Sequence, residues 1–162
     1  MIKQFSSYAL ILALALALSS CDTNRVYEKN EDIAQQAWMS TDSLNFDFEI
    51  SDNTPKNIYL NFRHRFGFNW RNVWINLQMQ WPNDSVFIIP VNIPLSQPDG
   101  QWYGDCSGDV CLMQYPLEDF AAYSFSDTGK YRITLYHDMR EDPLLEVLSV
   151  GVRVEEYVKA AD

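Results

Sequence analysis

The feature that most constrains the fold is the alternation of apolar and polar side chains along short segments. Turn-forming residues, mainly Asp, Asn, Ser, Pro and Gly, separate these segments. Alternation over about four to eight residues is typical of a β-strand with one buried face. The segments of this kind, in chain order, are 44–50, 58–62, 73–81, 85–93, 110–115, 123–125, 131–135 and 148–154. In the fourth of them, Pro90 indicates an edge strand or a bulge.

About eight strands joined by turns predict an all-β fold. We expect a single antiparallel β-sandwich, immunoglobulin-like or jelly-roll-like. The chain has 162 residues, which is the length of one domain, and 47% of them are hydrophobic and can supply its core. The best helical candidate, 31–39, would make about two turns, so helices should contribute little.

The N-terminus carries a secretion and lipidation signal. A Leu/Ala-rich stretch at 8–18 follows Lys3, and it is shorter than the roughly 20 residues that span a bilayer. Both properties are typical of a signal peptide. The stretch ends in Leu-Ser-Ser before Cys21, which resembles a bacterial lipobox. We therefore predict that Cys21 is lipidated; the alternative is an ordinary secreted protein in which Cys21 is a free or paired thiol.

The lipobox divides the chain into three predicted parts. They are a lipoprotein signal peptide at 1–20, a lipid-anchored N-terminal segment at 21–43 and the β-sandwich at 44–158. Fully extended, the middle part would reach roughly 70 Å at ~3.3 Å per residue. We expect a cell-envelope protein, held at the membrane by its lipid and facing the periplasm, with the outer membrane favoured over the inner one.

The charge of the chain excludes one class of partner. Twelve Lys and Arg stand against 22 Asp and Glu, a net charge of −10, whereas nucleic-acid binding needs a basic surface. Metal binding is also disfavoured, because His64 and His137 are isolated from each other and no metal-ligand spacing occurs. The loop residues Asp99, Asp105 and Asp109 could hold Ca²⁺ but lack EF-hand spacing, which favours a solvated acidic loop. We expect no cofactor, no metal and no nucleic acid.

The remaining cysteines favour a local disulfide. With Cys21 lipidated, Cys106 and Cys111 are left as a pair in a compartment that permits disulfides. A bridge between them would contribute about 2 kcal/mol by constraining the unfolded chain. Two free thiols are the alternative.

Two patterns resemble catalytic motifs, and neither is complete. Residues 104–108 read Gly-Asp-Cys-Ser-Gly, the Gly-Asp-Ser-Gly of trypsin-like proteases with a cysteine inserted, but a single small sandwich cannot supply a two-barrel protease. His137 and Asp138 could act as a base and its orienting carboxylate, yet no nucleophile is implied beside them. We predict no catalytic residue and no small-molecule substrate.

The segment that follows Cys21 is unlike a linker. It contains no Gly or Pro, and it carries apolar and aromatic residues that gain nothing in water. It should therefore dock, either on the sandwich or on a partner protein, and the two interpretations have equal weight. The candidate partner-binding residues are Arg25, Val26, Tyr27, Glu28 and Trp38.

A group of aromatic residues supports a different function. Rings and cations interleave over 62–71 around Gly67 and could stack on a sugar, or else lie partly in the core. With Trp70, Trp74 and Trp102 as a stacking platform, the protein would be an outer-membrane glycan-binding lipoprotein.

A set of short motifs, in this order and at this chain length, resembles the GldH family of gliding-motility lipoproteins from Bacteroidetes. The motifs are Arg25-Val26-Tyr27-Glu28, Asn57-Ile58-Tyr59-Leu60-Asn61, Gly129-Lys130-Tyr131, Met139-Arg140 and Val150-Gly151-Val152-Arg153-Val154-Glu155. The resemblance implies a non-enzymatic accessory of surface gliding, linked to protein secretion and surface adhesins, that acts by contact with other proteins of that machinery. The cysteine pair and the segment 63–71 depart from the family pattern, so the resemblance does not imply the disulfide.

Replacing the lipidated cysteine tests the predicted anchor. In the Cys21→Ala variant no thiol is available for acylation, and we expect the protein to move from the membrane fraction to the soluble fraction. Cell fractionation followed by immunoblotting measures the distribution. Continued partitioning of Cys21→Ala with the membranes would show that the lipobox interpretation is wrong.

Overall fold

The computed structural model describes residues 24–159, so the predicted signal peptide and Cys21 lie outside the described residues. Between these limits the chain forms β-strands and two single 3-10 turns, Ala34–Gln36 and Glu118–Phe120, and no α-helix. The strands are β1 (Arg25–Asp32), β2 (Ala37–Trp38), β3 (Leu44–Ile50), β4 (Lys56–Arg65), β5 (Asn72–Gln80), β6 (Val86–Pro94), β7 (Asp105–Ser107), β8 (Val110–Pro116), β9 (Gly129–His137), β10 (Leu144–Leu145) and β11 (Val147–Glu156). No helix of this part is long and apolar enough to cross a bilayer.

The strands form two antiparallel sheets packed as a sandwich. The five-stranded sheet has the order β1-β11-β4-β8-β7, and the four-stranded sheet has the order β3-β9-β5-β6. A short ribbon, β10 with β2, accompanies them. The predicted all-β antiparallel sandwich is confirmed.

The core lies between the two sheets and follows from the alternation in the sequence. In β3 the buried residues are Phe46, Phe48 and Ile50, while the residues between them are exposed. The same period of two buries one row of side chains in each long strand. Burying one such large apolar side chain contributes about 1.5–3 kcal/mol. The stability of the sandwich therefore depends on this alternation of buried and exposed residues.

Most predicted strands are found, with two kinds of difference. Segment 44–50 coincides with β3, and Pro90 lies on β6, the edge strand of the four-stranded sheet. The prediction of a strand at 123–125 is wrong, because this segment makes only an isolated bridge between Tyr123 and Lys56. The helical candidate 31–39 is wrong as well, because the end of β1, a 3-10 turn and β2 occupy it.

The larger difference concerns where the sheets begin. We predicted the sandwich from residue 44, whereas β1 is already the edge strand of the five-stranded sheet. It pairs with β11 from Arg25 to Asp32, with one irregularity between Arg25 and Tyr27. An edge strand pairs on one side only and its residues are largely exposed, so its polar sequence shows no apolar alternation.

The early start of β1 shortens the connection to the predicted lipid. Four residue steps separate Cys21 from Arg25, and even fully extended they span only about 14 Å. At this end of the pairing, the Glu156 backbone N–H donates to the Asn24 carbonyl at 2.7 Å and holds the first described residue against β11. A lipid on Cys21 would therefore keep this end of the sandwich close to the membrane, in keeping with the expectation that the segment after Cys21 docks rather than acts as a linker.

One position in β11 leaves no room for a side chain. Gly151 lies opposite Asn30 of β1 and opposite Asn61 of β4. A Cβ at Gly151 would approach the Lys29 carbonyl to 2.6 Å and would overlap the Asn30 amide. Close packing of β1 on β11 therefore requires glycine here.

Adding a single methyl group at this position tests the pairing. We expect Gly151→Ala to lower the free energy of unfolding by about 1–3 kcal/mol, since the inserted carbon overlaps its neighbours. Gly67 is a matched control, because a Cβ there meets nothing within 4 Å, and Gly67→Ala should stay within about 0.5 kcal/mol of the wild type. Urea denaturation measures both; equal stabilities for the two variants would contradict the packing described.

Candidate functional site

A polar cleft of about 530 Å³ lies on the outer face of the five-stranded sheet. Its floor comes from β4 and β11, and the edge strands β1 and β7 lie on its two sides. The lining residues are Glu28, Asn30, Asp32, Asn61, Arg63, Asp105, Ser107, Val110, Leu112 and Ser149. Eight of these ten residues are polar and Val110 and Leu112 are apolar, so a cleft of this size can receive part of another molecule through both kinds of contact.

A row of amides crosses the floor of the cleft. Asn61, which is only 3% exposed, donates from Nδ2 to Asn30 Oδ1 at 3.1 Å and to Glu28 Oε1 at 3.0 Å. Its Oδ1 accepts from Gln114 Nε2 at 3.3 Å. Because Gly151 lies between Asn30 and Asn61 in register and carries no side chain, the two amides meet across β11. The row therefore ties four strands together and satisfies a buried polar side chain.

Charges around the cleft fall into two groups. Glu28 is held by Arg25 at 3.0 Å and by Arg153 at 3.4 Å, so its carboxylate serves the structure. Arg63 on the floor and Asp105 on the β7 side are exposed and make no ion pair within the described chain. These two charges are available to a partner.

The β7–β8 hairpin forms one side of the cleft and is fixed covalently. Cys106 and Cys111 lie opposite each other in the hairpin and form the predicted disulfide, which is confirmed. Gly108 makes the turn with φ +62°, a conformation that favours glycine. A second hollow of about 510 Å³ shares Asp105 and Leu112 with the polar cleft, so the recessed surface continues along the hairpin.

Of the residues that we predicted to bind a partner, some lie beside the cleft and others pack into the sandwich. Arg25 and Glu28 lie beside the cleft, and Val26 is 36% exposed where the β1 pairing shifts register. Tyr27 points into the sandwich, where its ring lies 5.7 Å from that of Phe48. Burial of Tyr27 raises its pKa, and its hydroxyl has no hydrogen-bond partner in the described chain.

Trp38 is withdrawn from the binding surface altogether. Its side chain is fully buried and packs edge-on against His137 with ring centroids 5.2 Å apart. Its indole N–H donates to the Asp42 carbonyl at 2.9 Å. Docking on the sandwich rather than on a partner therefore describes Trp38.

The His137–Asp138 pair does not form a catalytic base. His137 is 2% exposed, its Nδ1 accepts from the Met139 backbone N–H at 3.3 Å, and its Nε2 lies 3.0 Å from the Trp38 carbonyl. This arrangement requires the neutral tautomer with the proton on Nε2. Burial lowers the pKa of His137, which also favours the neutral ring. Both nitrogens are thus engaged with the backbone, and the residue is structural.

The acidic loop residues serve different partners. Asp109 pairs with Arg65, Asp99 accepts from the Gln101 backbone N–H at 3.0 Å, and Asp105 lines the polar cleft. Within residues 24–159 no three His, Cys, Asp or Glu side chains are grouped as metal ligands. The structure thus gives no support to a calcium site at these aspartates.

The three tryptophans of the proposed stacking platform occupy three environments. Trp102 packs against the rings of His64 at 4.6 Å and Phe66 at 6.3 Å. The Trp70 indole N–H donates to Glu141 Oε2 at 2.5 Å, while Trp74 lies on β5 in the four-stranded sheet. Among residues 24–159, no ring contact joins any two of these tryptophans. Within 62–71, Phe62 and Phe68 belong to the core.

Comparison with known proteins identifies the family. The profile of the GldH lipoprotein family matches residues 25–154. The chain belongs to the GldH lipoprotein family. The match begins at the first residue of β1, so the segment that closes one side of the cleft is part of the family domain. Membership implies a lipid-anchored protein of the cell envelope.

One relative matches along almost its whole length. The gliding motility lipoprotein GldH homolog of Christiangramia forsetii is 26% identical over 159 residues, which cover 93% of this chain and 95% of that protein. This agrees with the resemblance seen in the sequence motifs. GldH proteins are not a known enzyme family.

Solved structures overlap the GldH-family fold only loosely. A family GH115 4-O-methyl-α-glucuronidase with specificity for decorated arabinogalactans has a TM-score of 0.42 and 10% identity, over 86% of this chain and 18% of that chain. An infectious bursal disease virus structure, Gt strain, has a TM-score of 0.32 and 9% identity, over 82% of this chain and 30% of that chain. Neither overlap is close enough to bear on function.

Proposed function

We propose that this protein is a non-enzymatic accessory of the gliding-motility machinery and of the associated secretion of surface adhesins. It is anchored through Cys21, faces the periplasm at the outer membrane and acts by binding another protein of that machinery. The binding surface is the polar cleft, with Arg25 and Glu28 at the end nearest the anchor. Family membership supports the motility role, and the structure supplies the surface.

One observation carries the choice of surface: β1 both borders the cleft and continues directly from the predicted anchor. With about 14 Å between Cys21 and Arg25 at most, the lipid restricts how far and in which orientations the cleft can move. A surface held in this way meets neighbouring membrane-bound proteins at a high effective concentration. The other sheet has no comparable link to the anchor.

The composition of the cleft fits a protein partner. Leu112 is 42% exposed beside the exposed charges of Arg63 and Asp105. An apolar contact surrounded by polar groups is the usual make-up of a transient protein interface. The amide row and the disulfide hold the floor and one side in place, so binding need not order them.

Removing the two available charges tests this surface. We expect the double variant Arg63→Ala with Asp105→Ala to bind its partner about tenfold more weakly, since a few interface residues carry most of the affinity. A photo-reactive residue in place of Leu112 allows the partner to be crosslinked in native membranes and quantified by mass spectrometry. Gliding speed on agar is scored in the same strains.

A matched control separates the cleft from general surface charge. Lys130→Ala with Glu49→Ala also removes one cation and one anion, from paired positions on the four-stranded sheet. This control should crosslink and support gliding like the wild type. Equal crosslinking and gliding by the cleft variant, or an equal loss in the control, would contradict the proposed surface.

A further inference from the structure

The two strands of the β5–β6 hairpin contain no charged residue, and the one charge of the hairpin, Asp84, lies in its turn. Each strand has nine residues, and neither contains Asp, Glu, Lys or Arg, although 21% of the whole chain is charged. β6 is one of the two edge strands of the four-stranded sheet, and β5 is its neighbour. Edge strands are usually protected by charge, so this edge has a different surface chemistry.

The outer side of this hairpin consists of amide, aromatic and aliphatic groups. On β5 the outward residues are Trp74, Asn76, Gln78 and Gln80. The side-chain amides of Asn76 and Gln78 hydrogen-bond to no other side chain between residues 24 and 159, so they are available to a ligand. Trp74 is 43% exposed at one end of the row.

A hollow of about 300 Å³, which we call the edge hollow, lies at the β6 edge of the four-stranded sheet. It is bordered by β8 of the other sheet and by the 3-10 turn Glu118–Phe120. Trp74 and Asn92, opposite each other in register, line it together with Pro90. Tyr115, Glu118 and Asp119 line it from the neighbouring chain segment. The hollow thus combines two aromatic rings, an amide and two carboxylates.

The backbone of this edge is poorly suited to adding a strand from another protein. Pro90 and Pro94 have no N–H group, so two donors are missing from β6. Strand addition depends on such main-chain hydrogen bonds. A ligand of this region therefore uses the side chains rather than the edge.

We propose that the edge hollow binds a neutral glycan. Trp74 stacks on the apolar face of one sugar ring, and the Glu118 and Asp119 carboxylates accept hydrogen bonds from its hydroxyls. Asn92 Oδ1 already accepts from Asn72 Nδ2 at 2.6 Å, so Asn92 contributes its Nδ2 as a donor. The amides of Asn76 and Gln78 extend the site along β5 to further sugar units.

The chemistry of each group supports this class of ligand. An aromatic ring offers a broad apolar face, and carboxylates and amides are strong acceptors for hydroxyl groups. The two carboxylates and the acidic chain disfavour an anionic polysaccharide, whereas a neutral one meets no repulsion. This site is separate from the polar cleft, which lies on the other sheet.

Titration with soluble sugars tests the proposal. The full chain in detergent micelles is titrated calorimetrically with four neutral tetrasaccharides, those of β-1,4-linked glucose, N-acetylglucosamine, xylose and mannose. We expect saturable binding of at least one. Trp74→Ala should weaken it about tenfold, as for an aromatic residue at the centre of a contact.

Two further variants guard against misfolding and non-specific effects. Glu118→Gln with Asp119→Asn changes exposed residues outside the sheets and should also weaken binding. Tyr59→Ala, on the outer side of the five-stranded sheet, should leave it unchanged. The proposal would be overturned if none of the four sugars bound, or if Trp74→Ala bound as tightly as the wild type. It would also be overturned if the variants lost a bound protein rather than a bound sugar.

Discussion

The described structure depends on the absence of a side chain at Gly151. At this point β1, β11 and β4 lie side by side, and the amides of Asn30 and Asn61 meet over the glycine at 3.1 Å. Any larger residue would separate them and push β1 outward. The contact therefore decides whether the N-terminal segment is a strand of the sheet or a free tether.

The position of β1 has consequences for function. As a strand, it borders the polar cleft and brings the fold within about 14 Å of the predicted lipid. As a tether, it would leave the outer sheet face flat and distant from the membrane. The cleft and the outer side of β5 and β6 also differ in chemistry, since the cleft carries charges while these two strands have none. The sandwich therefore presents two surfaces suited to two kinds of contact.

Much of this fold follows from the sequence, because strands that cover the core bury every second residue. Segment 44–50 is an example. The edge position of Pro90 follows from its missing N–H group. The Cys106–Cys111 bridge follows from the short spacing of the two cysteines and from the oxidising compartment. The start of β1 was missed because an edge strand buries little, so its sequence shows no apolar alternation. Trp38 was ambiguous, since an aromatic residue docks equally well inside a fold and on a partner.

The cleft itself is beyond sequence reasoning, because it depends on strand register. Asn30, Asn61 and Gln114 are far apart in the chain and meet only through the pairing of β1, β11, β4 and β8. Gly151 is a sequence signal of a close approach, but it does not say which residues approach. Family membership then supplies the role that the geometry alone does not.

Hydrogen exchange of the β1 amides tests the central claim most directly. In the full chain held in detergent micelles, mass spectrometry or NMR can follow residues 27–32 and 150–154 in one experiment. If β1 is a strand of the sheet, the amides of residues 27–32 that bond to β11 are protected from exchange along with those of β11. Exchange of all the 27–32 amides at the rate of an unstructured peptide, with β11 still protected, would contradict the account.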